Sequence, residues 1–432
     1  MSFVTLYNIL LFFANILLWV STYLYFKKKY GKNSIGSIMI LLYTTIAILG
    51  PYIFMIEDGK NFFINNLTIL PFIYLYLMLI VAIRPLFNYS PKYIQYISLP
   101  RPQILNLICL SFSLISIISL IKIIPSLKEG IIGLIIDSSS AADIYSKSTY
   151  SRMNQTNNIG YDYIAIFSNI SVAIIPFLFF CYLLQKKKKK VIMTLLTISI
   201  LIPPLNGIAN ASRLNIISSF LTCIFLGLFF YPYFNHSIKI NLKKGAIFVS
   251  IIFSIIFILI TIGRSSQNNS TSIGYGLMRY FAEGPLVFNN YCLDANGTRD
   301  GEYTFAFQHI LDRGSQPNEA ELREKYSNLK INSSRFYTFV GDFVLDYGPI
   351  PAFIIIVAIF FIVYNKTIIH RKTMLFPQMI LLYILIQYCC GFYQYQYSMK
   401  MGNAYLVALI LFYISMNLSL KYKPGWFITI RN

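Results

Sequence analysis

The sequence predicts an all-α, polytopic integral membrane protein with about 11 transmembrane helices and one large external loop. Three observations predict it. Hydrophobic residues make up 56% of the 432-residue chain, more than soluble domains use. They gather in stretches near the ~20 residues that a helix needs to cross a bilayer. The charges also sort by segment: six connecting segments hold 21 of the 36 Lys and Arg residues and none of the 16 Asp and Glu residues.

Taken in order, the expected spans are 3–26, 34–56, 63–83, 104–124, 161–184, 191–205, 214–234, 245–263, 346–364, 374–390 and 404–420. The acid-free connections are the 27–33 run, 84–103, the Lys186 to Lys190 block, 235–244, 365–373 and the tail with Lys421, Lys423 and Arg431. By the positive-inside rule these face the cytoplasm. An odd number of spans then puts the N-terminus outside and the C-terminus inside. The formal charge of +20 is therefore a topology signal, and nucleic acid is not an expected partner. Bases in short loops at membrane ends meet anionic lipid headgroups instead.

Two spans need argument. The first lacks a basic leading region and a cleavage site and is followed by Lys27-Lys28-Lys29, so it is expected to be retained as a helix. The stretch 191–205 is short and ends in Pro203-Pro204. Without it, the Lys186 to Lys190 block and the Lys239 to Lys244 cluster would fall on opposite sides. Cys109, Cys181 and Cys223 lie within spans, Cys389 and Cys390 end another, and Cys292 lies in an external loop, so no structural disulfide is expected. The sequence has no His/Cys cluster with metal spacing, no P-loop and no dinucleotide fingerprint.

The expected organisation has three parts: helices 1–8 over 1–263, with a lesser external loop at 125–160; a large external loop over 264–345; and helices 9–11 with a cytoplasmic tail over 346–432. The stretch 274–288 is too apolar for a free loop and too interrupted to span, which fits a re-entrant or interfacial segment. Pro317 to Lys325 reads as a surface helix with Glu321 and Lys325 at i,i+4. Asp342 and Asp346 share a face if their segment is helical, and carboxylates at a membrane boundary are costly unless they pair or act.

Four arginines stand where a span meets the external face or in the loop above it: Arg213, Arg264, Arg279 and Arg335. Each asks for an anionic partner. That partner is either a protein carboxylate or headgroup, or a diphosphate gripped by the guanidinium fork. His309, Glu283 and Asp346 are the candidate proton acceptors, each weighed against a plain packing or hydrogen-bonding role, and the sequence does not choose among them.

The chain resembles the Wzy-type O-antigen polymerases, also called oligosaccharide repeat unit polymerases. The resemblance is carried by Asn-Ala-Ser-Arg213, Thr-Ile-Gly-Arg264, Tyr280-Phe-Ala-Glu283-Gly284-Pro285, and Phe336-Tyr337-Thr338-Phe339 followed by Asp346-Tyr347-Gly348. An Arg-x10-Gly loop motif described for some members is not present at Arg152, Arg264, Arg279 or Arg335, and eleven spans differ from the even number often drawn for the family. The resemblance implies a GT-C-like fold in the bacterial inner (cytoplasmic) membrane. It implies an inverting glycosyltransferase that joins undecaprenyl-diphosphate-linked oligosaccharide units at the periplasmic face during polysaccharide biosynthesis, with no cofactor and no essential metal. The four arginines would hold the diphosphate, with Tyr280, Tyr337 and Thr338 lining the substrate. Membrane lipids and a chain-length regulator protein are the other expected partners. The alternatives are an O-antigen ligase or other lipid-linked glycosyltransferase, and a flippase for lipid-linked oligosaccharide.

Overall fold

A computed structural model describes residues 3–55, 67–136, 140–153, 163–267, 273–305, 319–330 and 335–431. In chain order the elements are α1 (Phe3–Tyr30), α2 (Ile35–Met55), α3 (Ile69–Ile83), β1 (Tyr96–Pro100), α4 (Pro102–Ile136), α5 (Ser140–Met153), α6 (Tyr163–Leu183), α7 (Lys190–Ile200), α8 (Ile202–Ala209), α9 (Arg213–Phe230) and α10 (His236–Gln267). They continue with α11 (Ile273–Val287), α12 (Glu319–Lys325), α13 (Thr338–Tyr347), α14 (Pro349–Thr367), β2 (Thr373–Leu375), α15 (Phe376–Cys389), α16 (Met399–Tyr422) and β3 (Phe427–Arg431). Among the described residues ten helices, counting α7 and α8 as one, are long and apolar enough to cross a membrane. The protein is an all-α polytopic membrane protein.

The tenth expected span, 374–390, forms a shorter apolar helix of 14 residues because β2 takes up its start. The proline-ended stretch breaks in two at Leu201. Pro203 and Pro204 have no N–H to continue the ladder of α7, but they fit the opening turn of α8. The span expected from residue 346 begins at Pro349 instead. Gly348, at φ +80°, ends α13 with its N–H on the Val344 carbonyl, and proline starts the next helix.

The segment read as a lesser loop from 125 is helical over most of its described length. α4 runs 35 residues, to Ile136. At ~1.5 Å per residue it is roughly 50 Å long, so part of it lies beyond a ~30 Å hydrocarbon core. α5 follows. Within the large loop, the interrupted apolar stretch forms α11, 15 residues long and too short to cross, ending in a π-helical turn at Phe288–Cys292.

The chain divides into two compact units. The first comprises Met1–Ile94, Ser270–His370 and Ile384–Asn403, and the second Gln95–Asn269, Arg371–Tyr383 and Ala404–Asn432. In the first, α1 and α2 form an antiparallel pair, α11 packs on α2, and α14 packs on α3. In the second, α4 packs on α6, α7 and α8, and a small sheet has the order β2-β1-β3. β1 runs parallel to β2 and antiparallel to β3, pairing Ile97 with Met374 and with Ile430. β1 lies in the acid-free segment 84–103 and β3 in the tail, while β2 runs from the last residue of 365–373 into the start of the expected span 374–390.

Candidate functional site

In the first unit the centre of interest is Glu283. Tyr275, Arg279 and Glu283 recur every four residues on α11, which puts them on one face. Glu283 is fully buried. Arg279 Nε donates to its Oε2 at 2.6 Å, Arg335 Nη1 donates to Oε1 at 3.0 Å, and the Tyr275 hydroxyl donates to Oε1 at 3.4 Å. Arg335 Nη1 also donates to the Tyr275 hydroxyl at 2.7 Å. Burial, the largest single influence, pulls the Arg279 guanidinium down in pKa, but the Glu283 charge and its hydrogen bond together with Tyr280 and Tyr275 leave the net direction upward. Its guanidinium lies over the Phe336 ring at 4.9 Å, and that ring also meets Tyr280. The Arg279 side chain remains 24% exposed and the Arg335 side chain 14%, so the cluster is open at its two arginines.

Backbone packing fixes Glu283 in place. A Cβ on the adjacent Gly284 would lie 2.4 Å from the Phe392 carbonyl oxygen, so only glycine allows α11 this close to the 391–393 segment. The same segment accepts the N–H groups of Tyr337, at 3.1 Å from the Tyr393 oxygen, and Phe339, at 2.7 Å from the Gly391 oxygen. Thr338 is held at φ +66°, a conformation that costs a β-branched residue strain. Its hydroxyl accepts the Gly341 N–H at 3.2 Å and opens α13.

Asp346 and Asp342 form a second cluster in the same unit. They do lie one turn apart on α13, and a buried arginine, Arg299, joins them. Its Nε donates to Asp346 Oδ1 at 2.7 Å and its Nη2 to Asp342 Oδ1 at 3.0 Å, while Nη1 donates to the Tyr337 hydroxyl at 3.2 Å. Asp346 Oδ2 accepts the N–H groups of Tyr303 and Thr304 and the Thr304 hydroxyl. Asp342 Oδ2 accepts the Tyr395 N–H at 2.9 Å. Burial pushes the Asp342 carboxyl up to about 6, with Arg299 opposing. Asp346 shifts upward for the same reason. Lys325 on α12 pairs with Glu302 at 2.5 Å.

Arg213 and Arg264 belong to the second unit. Arg213 opens α9, is buried, and donates through Nη1 to the Thr261 hydroxyl on α10 at 3.3 Å. Arg264 follows Thr261 by three residues. Its guanidinium lies flat on the Tyr145 ring, 3.5 Å from the centroid. Its Nη1 is buried and has no hydrogen-bond partner among the described residues. α5 delivers Tyr145 by packing Ala141 against Ala211, Ile216 and Ile260. A guanidinium held by stacking, with an unfilled donor, is suited to an incoming anion oxygen.

The four sequence-predicted arginines thus fall into two pairs, one in each unit. Arg279 and Arg335 meet at Glu283, whereas Asp346 belongs to the Arg299 cluster. Tyr280, Tyr337 and Thr338 are all buried. His309 lies outside the described residues. Sequence reasoning passed over Arg299, Tyr275 and Tyr145. The i,i+4 aspartates signalled a missing cation for the first, and the i,i+4,i+8 stripe could have found the second.

The fold and these clusters define a class: a polytopic helical membrane protein carrying buried arginines and buried carboxylates. No family model, curated protein or solved structure matches the chain.

Proposed function

We propose that the chain is a glycosyltransferase that polymerises undecaprenyl-diphosphate-linked oligosaccharide units into a surface polysaccharide, in the bacterial inner membrane with the chemistry on its periplasmic face. The observation that carries the reading is Arg264, stacked on Tyr145 with a buried donor unfilled among the described residues. A diphosphate offers oxygens at the spacing of the guanidinium fork. In the reaction, a hydroxyl oxygen of the incoming unit attacks the anomeric carbon of the growing chain. The bond from that carbon to the diphosphate oxygen breaks with inversion, and the hydroxyl proton passes to a base. Arginines offset the charge that develops on the leaving diphosphate.

Among the candidate bases, Asp346 is already committed to four donors, which suits a positioning role. Glu283 holds three donors, from Arg279, Arg335 and Tyr275, and remains a candidate base within its own unit. His309 is its competitor. On the same reading the six acid-free segments and the C-terminus face the cytoplasm, and a chain-length regulator is a natural partner for a polymerase.

The test is the surface polysaccharide of a deletion strain. Loss of a polymerase still allows one unit to be exported and ligated, so a ladder should collapse to core plus a single repeat. The wild-type chain should restore the ladder. Arg264→Ala, at normal protein level, should not, and Arg264→Lys should do so only in part because it lacks the fork. Bare core with polymer left on its lipid carrier would assign a ligase. Lipid-linked units trapped inside would assign a flippase. Either result overturns the polymerase reading.

A further inference from the structure

We propose that the start of α2 is a phosphate-binding site, on the acid-free side of the first unit and independent of the polymerase reading. α1 ends in Lys27-Lys28-Lys29-Tyr30, and the chain turns through Gly31 at φ +89°. Ser34 then opens α2, its carbonyl accepting the first helical N–H, from Ile38, at 3.0 Å. A helix start presents N–H groups without intrahelical partners together with the positive end of the dipole, and it attracts phosphate for both reasons.

A second observation points to a ligand. Serine at this position ordinarily caps the first turn with its hydroxyl. Here Ser34 is 1% exposed and its Oγ has no hydrogen-bond partner among the described residues, so the cap is unmade. Buried hydroxyls left unsatisfied call for an explanation, and an anion oxygen, which needs donors, supplies one.

Ser34 lines a pocket of about 270 Å³ together with Gly31, Lys32, Ser90 and Lys92. The far wall is built, not incidental. Ser90 Oγ donates to the Tyr30 carbonyl at 3.2 Å and accepts the Lys92 N–H at 3.4 Å. Phe87 stacks on Phe26 at 4.4 Å and on Tyr30 at 4.5 Å. It also lies where a Cβ on Gly36 would meet it at 2.7 Å, so the glycine lets this wall close on the helix start. Lys32 and Lys92 are exposed at the rim. Neither 27–33 nor 84–103 contains a carboxylate to compete for them. The chemistry recognised is a phosphate group carried by an anionic phospholipid head or free in solution, and a basic membrane end places the pocket at headgroup level.

The experiment measures thermal unfolding of the purified full-length protein in detergent, titrated with phosphatidylglycerol, phosphatidylcholine or inorganic phosphate. Two variants test the site: Lys32→Gln with Lys92→Gln, at exposed positions, and Ser34→Ala. Phosphatidylglycerol should stabilise the wild type more than phosphatidylcholine does. The double variant should need on the order of tenfold more of it, the loss expected for charge-assisted contacts. Ser34→Ala should keep its stability without lipid, since it removes an unsatisfied hydroxyl, yet respond less to phosphatidylglycerol. Stabilisation by inorganic phosphate with the same variant dependence would identify free phosphate as the source. A response confined to phosphatidylglycerol would identify the lipid head. Equal responses in the wild type and both variants, or no preference for phosphatidylglycerol or phosphate over phosphatidylcholine, would overturn the proposal.

Discussion

Arg299 Nε sits 2.7 Å from Asp346 Oδ1, and neither side chain has appreciable contact with solvent. The pair joins the turn-rich 293–305 segment to α13, and Asp342 takes another nitrogen of the same guanidinium. Removing one partner of such a buried set leaves an uncompensated charge, which costs about 3–5 kcal/mol. Arg299→Ala should therefore lower thermal stability sharply. Asp346→Asn should be more damaging than Asp342→Asn, because Asp346 gathers four donors and Asp342 fewer. Unfolding of the three purified variants measures the order. A wild-type melting temperature for Arg299→Ala would show that the cluster does not secure this segment.

The Asp342 carboxyl also gives a pH dependence with a defined sign. Its folded pKa, about 6, lies above the unfolded value of 3.8, so the folded chain holds the proton more tightly. This group's contribution is fully present below about pH 4 and is lost as pH rises through about 6. The slope from one group is at most about 1.4 kcal/mol per pH unit. In Asp342→Asn that component should vanish. Stability measured from pH 4 to pH 7 in the two proteins checks it, and parallel curves would refute it.

Glu283 and His309 compete as proton acceptor. If Glu283 is the base, Glu283→Gln should reduce polymer formation by ~10²-fold or more. His309→Ala should then be mild. Glutamine can still accept from Arg335 or Arg279 but leaves both without a compensating charge, so activity is compared at matched protein level. If His309→Ala instead abolishes activity and Glu283→Gln retains it, Glu283 is an anchor for two arginines and the base lies elsewhere.

Topology is open to direct measurement. Reporter fusions after Lys190 and Lys244 should report the cytoplasm, and fusions near Asn157 and Asn318 the opposite side. The three-stranded sheet adds a condition, since strands paired to one another share a side: fusions near Ser98 and after Arg431 must agree. A cytoplasmic reporter at Asn318 would remove the basis for external chemistry.

Most of the helical framework was legible because span length and composition are local properties, readable window by window. α5 was not. Its sequence, with Ser140, Lys147 and Ser148, has little hydrophobic pattern, and it is helical where Ala141 and Tyr145 find partners on distant segments. β1, β2 and β3 escaped notice because each has at most five residues and acquires meaning only by pairing with remote chain. At the candidate site, the charged residue types and the i,i+4 aspartates could be read directly. The partner of those aspartates could not, since Arg299 lies in a turn more than 40 residues upstream. Nor could the unfilled donor on Arg264, which depends on the ring that α5 brings beneath it.

The order of the sheet has a consequence for biogenesis. β1 is the central strand, yet it leaves the ribosome long before either neighbour, since β2 is complete only at residue 375 and β3 at 431. At ~5–20 residues per second this is a wait of roughly 15 to 55 s for the first neighbour alone. Throughout that interval β1 has two open edges, the state in which strands pair with the wrong chain. Closure of the sheet is thus a late event of maturation, and the tail acts as its latch. Substitutions in Phe427–Arg431 should register as lower yield during synthesis, while molecules that have already closed turn over normally.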